Sequence, residues 1–142
     1  MKPARLRERA AITLALRQWF DSNGYLEVHT PVVVPCPAME EHLEPVAVGT
    51  RFLHTSPEFG MKRVLAAGLC RIYQIVPCFR AEEHGIHHSE EFTMIEWYRV
   101  GAGTAELMDE AEALIGAAAR SVGCEAPRFE RVSVSELRAR VG

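Results

Sequence analysis

Several signatures that quickly classify a protein are missing from this sequence of 142 residues. It has no run of about 18 apolar residues, so we expect no membrane-spanning helix. The patterns G-x-x-x-x-G-K-[ST] and G-x-G-x-x-G are both absent, which excludes the two common phosphate-binding loops. The short basic N-terminus lacks a following apolar region, so we do not expect a secretory signal peptide.

Cysteine pairs and excess positive charge are also lacking. The four cysteines are scattered, without a C-x-x-C pair, which favours reduced thiols in a cytoplasmic protein over a disulfide framework. A net charge of -3 argues against a broad nucleic-acid-binding surface. With 48% apolar and 25% charged residues the composition is that of an ordinary folded protein, and we expect residues 1–142 to form a single domain.

The most informative stretch of the chain is 71–100. Its alternation predicts two strands joined by a polar loop, because successive side chains of a strand point to opposite faces. One face of the second strand carries Phe92, Met94, Glu96 and Tyr98. A carboxylate among apolar side chains is costly to bury unpaired, so we expect Glu96 to meet a cation.

Helical periodicity and punctuating glycines and prolines predict the other elements. They are a helix over 5–23, an extended segment over 25–34 that Pro31 interrupts, a hairpin over 46–53, a short helix from Ser56-Pro57-Glu58 to Gly68, a helix over 104–122 that Thr104 caps, a strand over 129–133, and a terminal helix that Ser133 and Glu136 begin with capping-box spacing.

Residues with chemical potential gather at the ends of the two central strands. Arg80 ends the first strand, Glu82 follows two residues later, and Phe92 begins the second strand. An arginine fork binds phosphate, an aromatic ring stacks on a base, and carboxylates bind amines. Together these residue types indicate a site for a nucleotide and an amine.

Simpler interpretations of these charges stay open. An ordinary salt bridge would pair Arg80 with Glu82 or Glu83, and a core arginine would pair with Glu96. Glu58 is also explained as a carboxylate that the helix dipole favours at a helix start.

The aromatic and histidine side chains have plain interpretations too. Phe92 and Trp97 are typical core aromatics of a strand, and we prefer that interpretation for Trp97. His84, His87 and His88 are zinc-ligand types, but H-x-x-H-H on a loop without cysteine partners is more typical of a solvated surface. We therefore predict no metal site.

Three stretches resemble signatures of class II aminoacyl-tRNA synthetases. The second signature, F-R-x-E, a loop and H-x-x-x-F, is matched by FRAEE and HHSEEFTMIEWYR. The first signature resembles GYLEVHTPVVV, and the lysine-type T-x-P-E stretch resembles HTSPEFGMKRVL. The order is similar to the lysyl-tRNA synthetase-like family, most of all to its truncated elongation factor P (R)-β-lysine ligases. The resemblance covers residues 5 to 135 and implies an α+β fold, an antiparallel sheet with helices on one face.

The resemblance also implies an activity, adenylation, in which an amino-acid carboxylate displaces pyrophosphate from ATP with the help of Mg²⁺. Such a reaction needs positioning and electrostatic stabilisation rather than a protein nucleophile. The implied roles are Arg80 on the α-phosphate, Glu82 on the adenine amino group, His88 near the β/γ-phosphates, Phe92 stacked on adenine, Glu58 on the amine near the substrate carboxylate, and Glu96 and Tyr98 around the side-chain ammonium.

Partners follow from the same resemblance. It implies a lysine-like amino acid as substrate, elongation factor P as acceptor, and a homodimer through residues 5–34. The first signature begins almost at once, so we expect no N-terminal anticodon-binding domain and no tRNA acceptor.

Two departures from the family pattern bear on catalysis. Where the family has H-N-P-E-F, this chain has H-S-E-E-F at 88–92, which adds a carboxylate beside the expected phosphates. The glycine-rich third signature, with its arginine for the γ-phosphate, does not occur. We therefore expect an incomplete catalytic domain. A non-catalytic remnant that dimerises or binds a ligand or partner, and a fragment of a lysyl-tRNA synthetase, remain alternatives to an active ligase.

Overall fold

A computed structural model describes residues 2–38, 40–41, 43–83, 85–86 and 88–141. The chain divides into two compact units, a helical unit, Met1–Trp19 with Ala102–Gly142, and a sheet unit, Phe20–Gly101. The elements are α1 Pro3–Ser22, β1 Leu26–Glu27, β2 Val33–Val34, β3 Ala47–Val48, β4 Arg51–Leu53, α2 Glu58–Ala66, β5 Arg71–Phe79, β6 Glu91–Arg99, α3 Thr104–Ser121 and α4 Val134–Val141. No described helix is long and apolar enough to cross a membrane.

The larger sheet of the sheet unit has the order β1-β5-β6. β5 and β6 are antiparallel along their whole length, and the short β1 runs parallel to β5. Gln74 lies opposite Glu96 and Cys78 lies opposite Phe92. Directly opposed residues share a face of a sheet, so this register confirms the predicted faces.

The smaller sheet of this unit has the order β2-β4-β3, with both pairings antiparallel. Its β3–β4 hairpin confirms the prediction over 46–53 and turns at Gly49, whose φ of 60° suits a residue without a side chain. The extended segment ahead of it is broken into β1 and β2 around Pro31, as predicted, because proline has no N–H for a ladder.

An aromatic cluster fills the face of the larger sheet opposite to Glu96. The Phe20 ring, in the last turn of α1, is stacked on Tyr73 with centroids 4.1 Å apart. Tyr25 meets Phe20 edge-on at 5.2 Å, and Trp97 lies at 6.1 Å from it. Phe20 is fully buried. Burial of this cluster anchors β5 and β6 and leaves Gln74 and Glu96 on their other face.

Two predictions for the helical unit are confirmed. The helix predicted over 104–122 is α3, and Gly123 follows it at a φ of 75°, in the left-handed region that suits glycine. Ser133 and Glu136 form the predicted capping box at α4: the Ser133 N–H donates to Glu136 Oε2 at 2.7 Å, and the Glu136 N–H donates to Ser133 Oγ at 3.2 Å. Hydrogen bonding of the Glu136 carboxylate to the backbone and the side chain of Ser133 lowers the pKa of Glu136.

Two other predictions for this unit are wrong. Gly103 caps α3, and its N–H donates to Glu106 Oε2 at 3.0 Å, whereas Thr104 is already helical. Residues 129–133 form no strand. The described elements of this unit are helices, which offer no ladder partner, and Arg131 is instead held by ion pairs to Asp109 and Glu112 of α3.

Candidate active site

The candidate site occupies the face of β5 and β6 that carries Gln74 and Glu96, within the sheet unit. Phe92, Glu96 and Tyr98 alternate along β6 and share that face, as the alternation predicted. Arg80 directly follows β5 and continues its pairing, since its N–H donates to the Glu90 carbonyl oxygen at 2.9 Å. The site therefore has an amino-acid end around Glu96 and a nucleotide end around Arg80.

Glu96 is held by two neutral hydroxyl groups. Ser56 Oγ donates to Glu96 Oε2 at 2.8 Å, and the Tyr98 hydroxyl donates to Oε1 at 2.6 Å. The described partners of Glu96 are hydroxyls and not an arginine, so the alternative of a core arginine is wrong among the described side chains, whereas the cation expected at Glu96 stays a prediction. Hydroxyl donors offset part of the desolvation cost and leave the negative charge in place.

Ser56 was missed as a site residue, because the sequence pattern identified it only as a helix cap. The N-cap of α2 is instead Pro57, and Ser56 Oγ accepts the Glu58 N–H at 3.1 Å, at the first residue of that helix. Glu58, half-buried, forms an i,i+4 ion pair with Lys62. Ser56 thus connects the start of α2, and with it Glu58, to Glu96 on β6.

The carboxylates at the amino-acid end shift the pKa values of Tyr98 and Cys78. Burial, the hydrogen bond to Glu96 and the charges of Glu96 and Glu58 together raise the pKa of Tyr98 above its ordinary value. Burial and the Glu96 charge raise the pKa of Cys78 to about 11, while the Arg80 charge opposes that rise. Two carboxylates therefore give this end a negative field suited to a cation.

Arg80 and Phe92 meet at the nucleotide end. The Arg80 guanidinium carbon lies 5.0 Å from the centroid of the Phe92 ring. Arg80 Nε is buried and has no hydrogen-bond partner in the described part of the chain. Among those residues there is also no ion pair of Arg80 with Glu82 or Glu83, the simpler interpretation of these charges. The guanidinium thus keeps a donor for an acceptor that is not one of these side chains.

The described residues of the loop after Arg80 make fewer contacts within the candidate site than Arg80 and Phe92 do. Glu82 is exposed and adopts a φ of 62°, which is uncommon outside glycine. His88 is exposed and places its Nε2 3.9 Å from Glu83 Oε2. Neither Glu82 nor His88 is hydrogen-bonded or ion-paired to Arg80 in the part that the structure describes.

The histidines that are possible zinc ligands by residue type lie in the same loop. Two of the three loop histidines, His84 and His87, lie outside the described residues. Among the residues that are described, no group of three or more His, Cys, Asp or Glu side chains could hold a metal ion.

Gln74 is a fully buried polar residue that sequence reasoning did not place in the site. Its Oε1 accepts hydrogen bonds from the Thr30 N–H at 3.3 Å and from Thr30 Oγ1 at 3.1 Å. Its Nε2 has no partner among the described residues. A glutamine inside a strand of apolar neighbours is the one sequence signal that could have revealed it.

A cavity of about 430 Å³ lies next to these residues. Its lining includes Thr30, Ser56 and Gly60, but not Glu58, Glu96 or Tyr98. It therefore adjoins the amino-acid end without containing its carboxylates.

Comparison with known families decides the relationship. Residues 2–141 match the family described as tRNA synthetases class II (D, K and N). The chain belongs to the class II tRNA synthetases. Its relatives place it with the lysyl-tRNA synthetase-like members, as the first and second signatures and the lysine-type stretch predicted.

Curated relatives of this class II chain include several ligases. The chain is 47% identical over 120 residues to the elongation factor P--(R)-beta-lysine ligase of Vibrio vulnificus, covering 78% of this chain and 37% of the relative. It is 40% identical over 142 residues to the ligase of that name from Vibrio campbellii, covering 93% and 44%. The chain thus spans less than half the length of these relatives.

A solved structure confirms the fold. Asparaginyl-tRNA synthetase from Pyrococcus horikoshii, complexed with asparaginyl-adenylate, superposes with a TM-score of 0.73 at 21% identity, covering 82% of this chain and 28% of the other. The predicted α+β class, with a class II synthetase-like sheet, is confirmed.

Proposed function

We propose that this chain supplies the nucleotide and amino-acid contacts of a ligase that activates lysine or β-lysine with ATP for transfer to elongation factor P. The observation that carries the proposal is the Glu96 carboxylate, which two hydroxyls hold in place without neutralising it. The names of the ligase relatives supply the acceptor.

At the amino-acid end, the two carboxylates match the two amines of a lysine-like substrate. Glu96, with Tyr98, would bind the side-chain ammonium, since a charge-assisted contact is stronger than a neutral one. Glu58 would bind the amine near the substrate carboxylate. Lys62 now pairs with Glu58 at the protein surface, and a substrate amine would take the place of its ammonium group.

At the nucleotide end, Arg80 would hold the α-phosphate while a substrate carboxylate oxygen attacks the α-phosphorus. The bond from that phosphorus to the oxygen bridging the β-phosphate breaks, and pyrophosphate leaves with the electron pair. Phe92 would stack on adenine, Glu82 would contact the adenine amino group, and His88 would lie near the β- and γ-phosphates. The described residues offer no ligand set for Mg²⁺, so no step is assigned to it.

Several further features belong to the proposal. Residues 1–142 would act as one incomplete catalytic domain in the cytoplasm, and residues 5–34 would form a homodimer interface. The relatives are more than twice as long as their matched parts.

Non-catalytic binding of a ligand is the second candidate, and the loop favours it. Glu90 and Glu91 are exposed carboxylates next to His88, in the region where the β- and γ-phosphates would lie. Their charges oppose phosphate binding there. A protein of this kind would bind lysine or ATP without turnover.

Calorimetric titration with lysine, (R)-β-lysine and ATP, together with lysine-dependent ATP–pyrophosphate exchange, tests the proposal. Arg80→Ala is expected to raise the Kd for ATP about tenfold or more and to abolish any exchange, because a charge-assisted phosphate contact is lost. Arg51→Ala, an exposed arginine on β4, is the matched control and should leave ATP binding unchanged.

The outcomes separate the candidates. Binding of ATP and lysine without exchange favours the non-catalytic function. A chain that binds neither ligand, or an Arg80→Ala variant with unchanged ATP affinity, overturns the assignment of the site.

A further inference from the structure

We propose that Thr30, Gln74 and Gly60 act as a buried clamp that fixes the position of α2 relative to β5, and so places Glu58 and Ser56 relative to Glu96. The three residues are positioning residues, because they act through α2 rather than by touching substrate. This inference rests on the proposed function, since it concerns the geometry of the amino-acid end.

Gln74 is the residue of the clamp that holds Thr30 to β5. It lies in the middle of β5, directly opposite Glu96, and none of its surface is exposed. Its Oε1 accepts both the backbone and the side-chain donor of Thr30. A buried amide held at one end costs free energy through its unpaired Nε2, so the arrangement is not one that core packing alone favours.

Thr30 passes this constraint on to α2. It precedes Pro31, which restricts its backbone to extended conformations. A Cβ atom at Gly60 would lie 2.7 Å from Thr30 Cβ, 2.9 Å from its Cγ2 and 3.0 Å from its Oγ1. The Thr30 side chain and the backbone of α2 are therefore in contact with no space for a methyl group.

The contact lies close to the substrate-binding residues. Gly60 is in the first turn of α2, two residues after Glu58. The Glu58 N–H is bonded to Ser56 Oγ, and Ser56 in turn donates to Glu96. A shift of α2 at Gly60 therefore displaces Glu58 and loosens the Ser56–Glu96 bond. Arg80 lies in the connection that follows β5, and Phe92 lies on β6. The nucleotide end is therefore not positioned by α2.

The decisive variant is Gly60→Ala. Its Kd for lysine is expected to rise about tenfold or more, since small misplacements of positioning groups are costly, while its Kd for ATP stays within about twofold. Thr30→Gly/Gly60→Ala should recover only the part of the lysine affinity that the clash removes, because all three of the nearest atoms are gone but the hydroxyl bond to Gln74 is lost with them. Thr30→Ala/Gly60→Ala should not, because Thr30 Cβ alone already lies too close.

Gly116→Ala in α3 is the matched control. It makes the same change inside a helix, but the nearest atom is the flexible end of Arg120 at 3.1 Å, so both affinities should be unchanged. Circular dichroism identifies any variant that fails to fold. If Gly60→Ala does so, Thr30→Val decides, because it keeps the shape of Thr30 and removes only its hydroxyl bond to Gln74.

Each remaining outcome counts against a defined claim. Wild-type lysine affinity in a folded Gly60→Ala variant overturns the clamp, as does an equal loss of lysine and ATP affinity. Wild-type lysine affinity in Thr30→Val overturns it where Gly60→Ala does not fold. A wild-type chain that binds ATP but neither lysine nor β-lysine overturns the proposed function instead, and the clamp with it.

Discussion

The two ends of the β5–β6 pair are built differently. At the amino-acid end, both oxygens of Glu96 already accept hydrogen bonds, from Ser56 and Tyr98. At the nucleotide end, Arg80 keeps a buried Nε without a partner in the described part of the chain and lies over the ring of Phe92. The first end is arranged before any ligand binds, whereas the second has hydrogen-bonding capacity to spare.

This difference indicates how each end would recognise its ligand. A carboxylate in a fixed position selects a cation by charge and distance, with little reorganisation on binding. An unsatisfied guanidinium gains a hydrogen bond when an anion arrives, so part of its binding energy comes from relieving an existing cost. Cys78 lies between the two ends and responds to the charges of both.

The reactivity of Cys78 is therefore the most sensitive measure of the difference between the two ends. Because its pKa is raised from 9.0 to about 11, its thiolate fraction at pH 8 should be about a hundredfold below that of an ordinary thiol. Iodoacetamide should modify the exposed Cys36, Cys70 and Cys124 long before Cys78, as followed by peptide mass mapping.

Two variants make the Cys78 prediction sharper. Glu96→Gln should speed the labelling and Arg80→Ala should slow it, because Glu96 raises the pKa of Cys78 and Arg80 lowers it. In urea all four cysteines should react alike. Fast labelling of Cys78 in the folded chain would contradict the burial and charge assigned to it.

Glu96→Gln tests the amino-acid end with almost no change in volume. Its Kd for lysine is expected to rise roughly thirtyfold, because a charge-assisted hydrogen bond contributes about 2 kcal/mol. Its Kd for ATP should stay within about twofold, since Arg80 and Phe92 are untouched. Both are measured by calorimetric titration. Glu91→Gln, an exposed residue of the same strand, is the control, and equal losses for both ligands would break the distinction between the ends.

Tyr98→Phe should have the smallest effect. Losing the hydroxyl that donates to Glu96 is expected to lower the free energy of unfolding by about 1 kcal/mol at pH 7. The pKa of Tyr98 is raised above 10.0, so its stabilisation is complete below pH 10 and is lost as pH rises further. The difference between wild type and variant, measured by urea unfolding, should therefore shrink above pH 10.

Ser56→Ala is the control for this pH dependence. It removes the other hydroxyl donor of Glu96 but no titrating group, so its loss of stability should remain nearly constant from pH 7 to alkaline pH. A Tyr98→Phe difference that is equally constant would contradict the shifted pKa of Tyr98.

The local pattern of apolar and polar residues predicted much of this fold, but it did not predict the hydrogen-bond partners of the polar residues. The alternation of Phe92, Glu96 and Tyr98 depends on neighbours in sequence, and the register confirmed it. One of the two hydroxyl partners of Glu96, Ser56, lies 40 residues away, where no local periodicity can reveal it. The Ser56 donor was accordingly not predicted, although the physical reason for expecting a partner of Glu96 was sound.

The same limit explains two other failures. Gln74 meets Thr30 across 44 residues, so the sequence shows a polar residue in an apolar strand at Gln74 but does not show its partner. The strand expected over 129–133 had a suitable local pattern, but a strand needs a neighbour to pair with, and the helical unit provides none among its described elements.

The two tryptophans divide between the two units: Trp19 falls in the helical unit, and Trp97 belongs to the aromatic cluster of the sheet unit. Each unit thus carries its own fluorophore. With one tryptophan replaced by phenylalanine, the emission during urea unfolding follows the other unit alone. Superimposable curves from the two variants would mean one cooperative transition, and separate midpoints would mean that the halves of the fold melt independently.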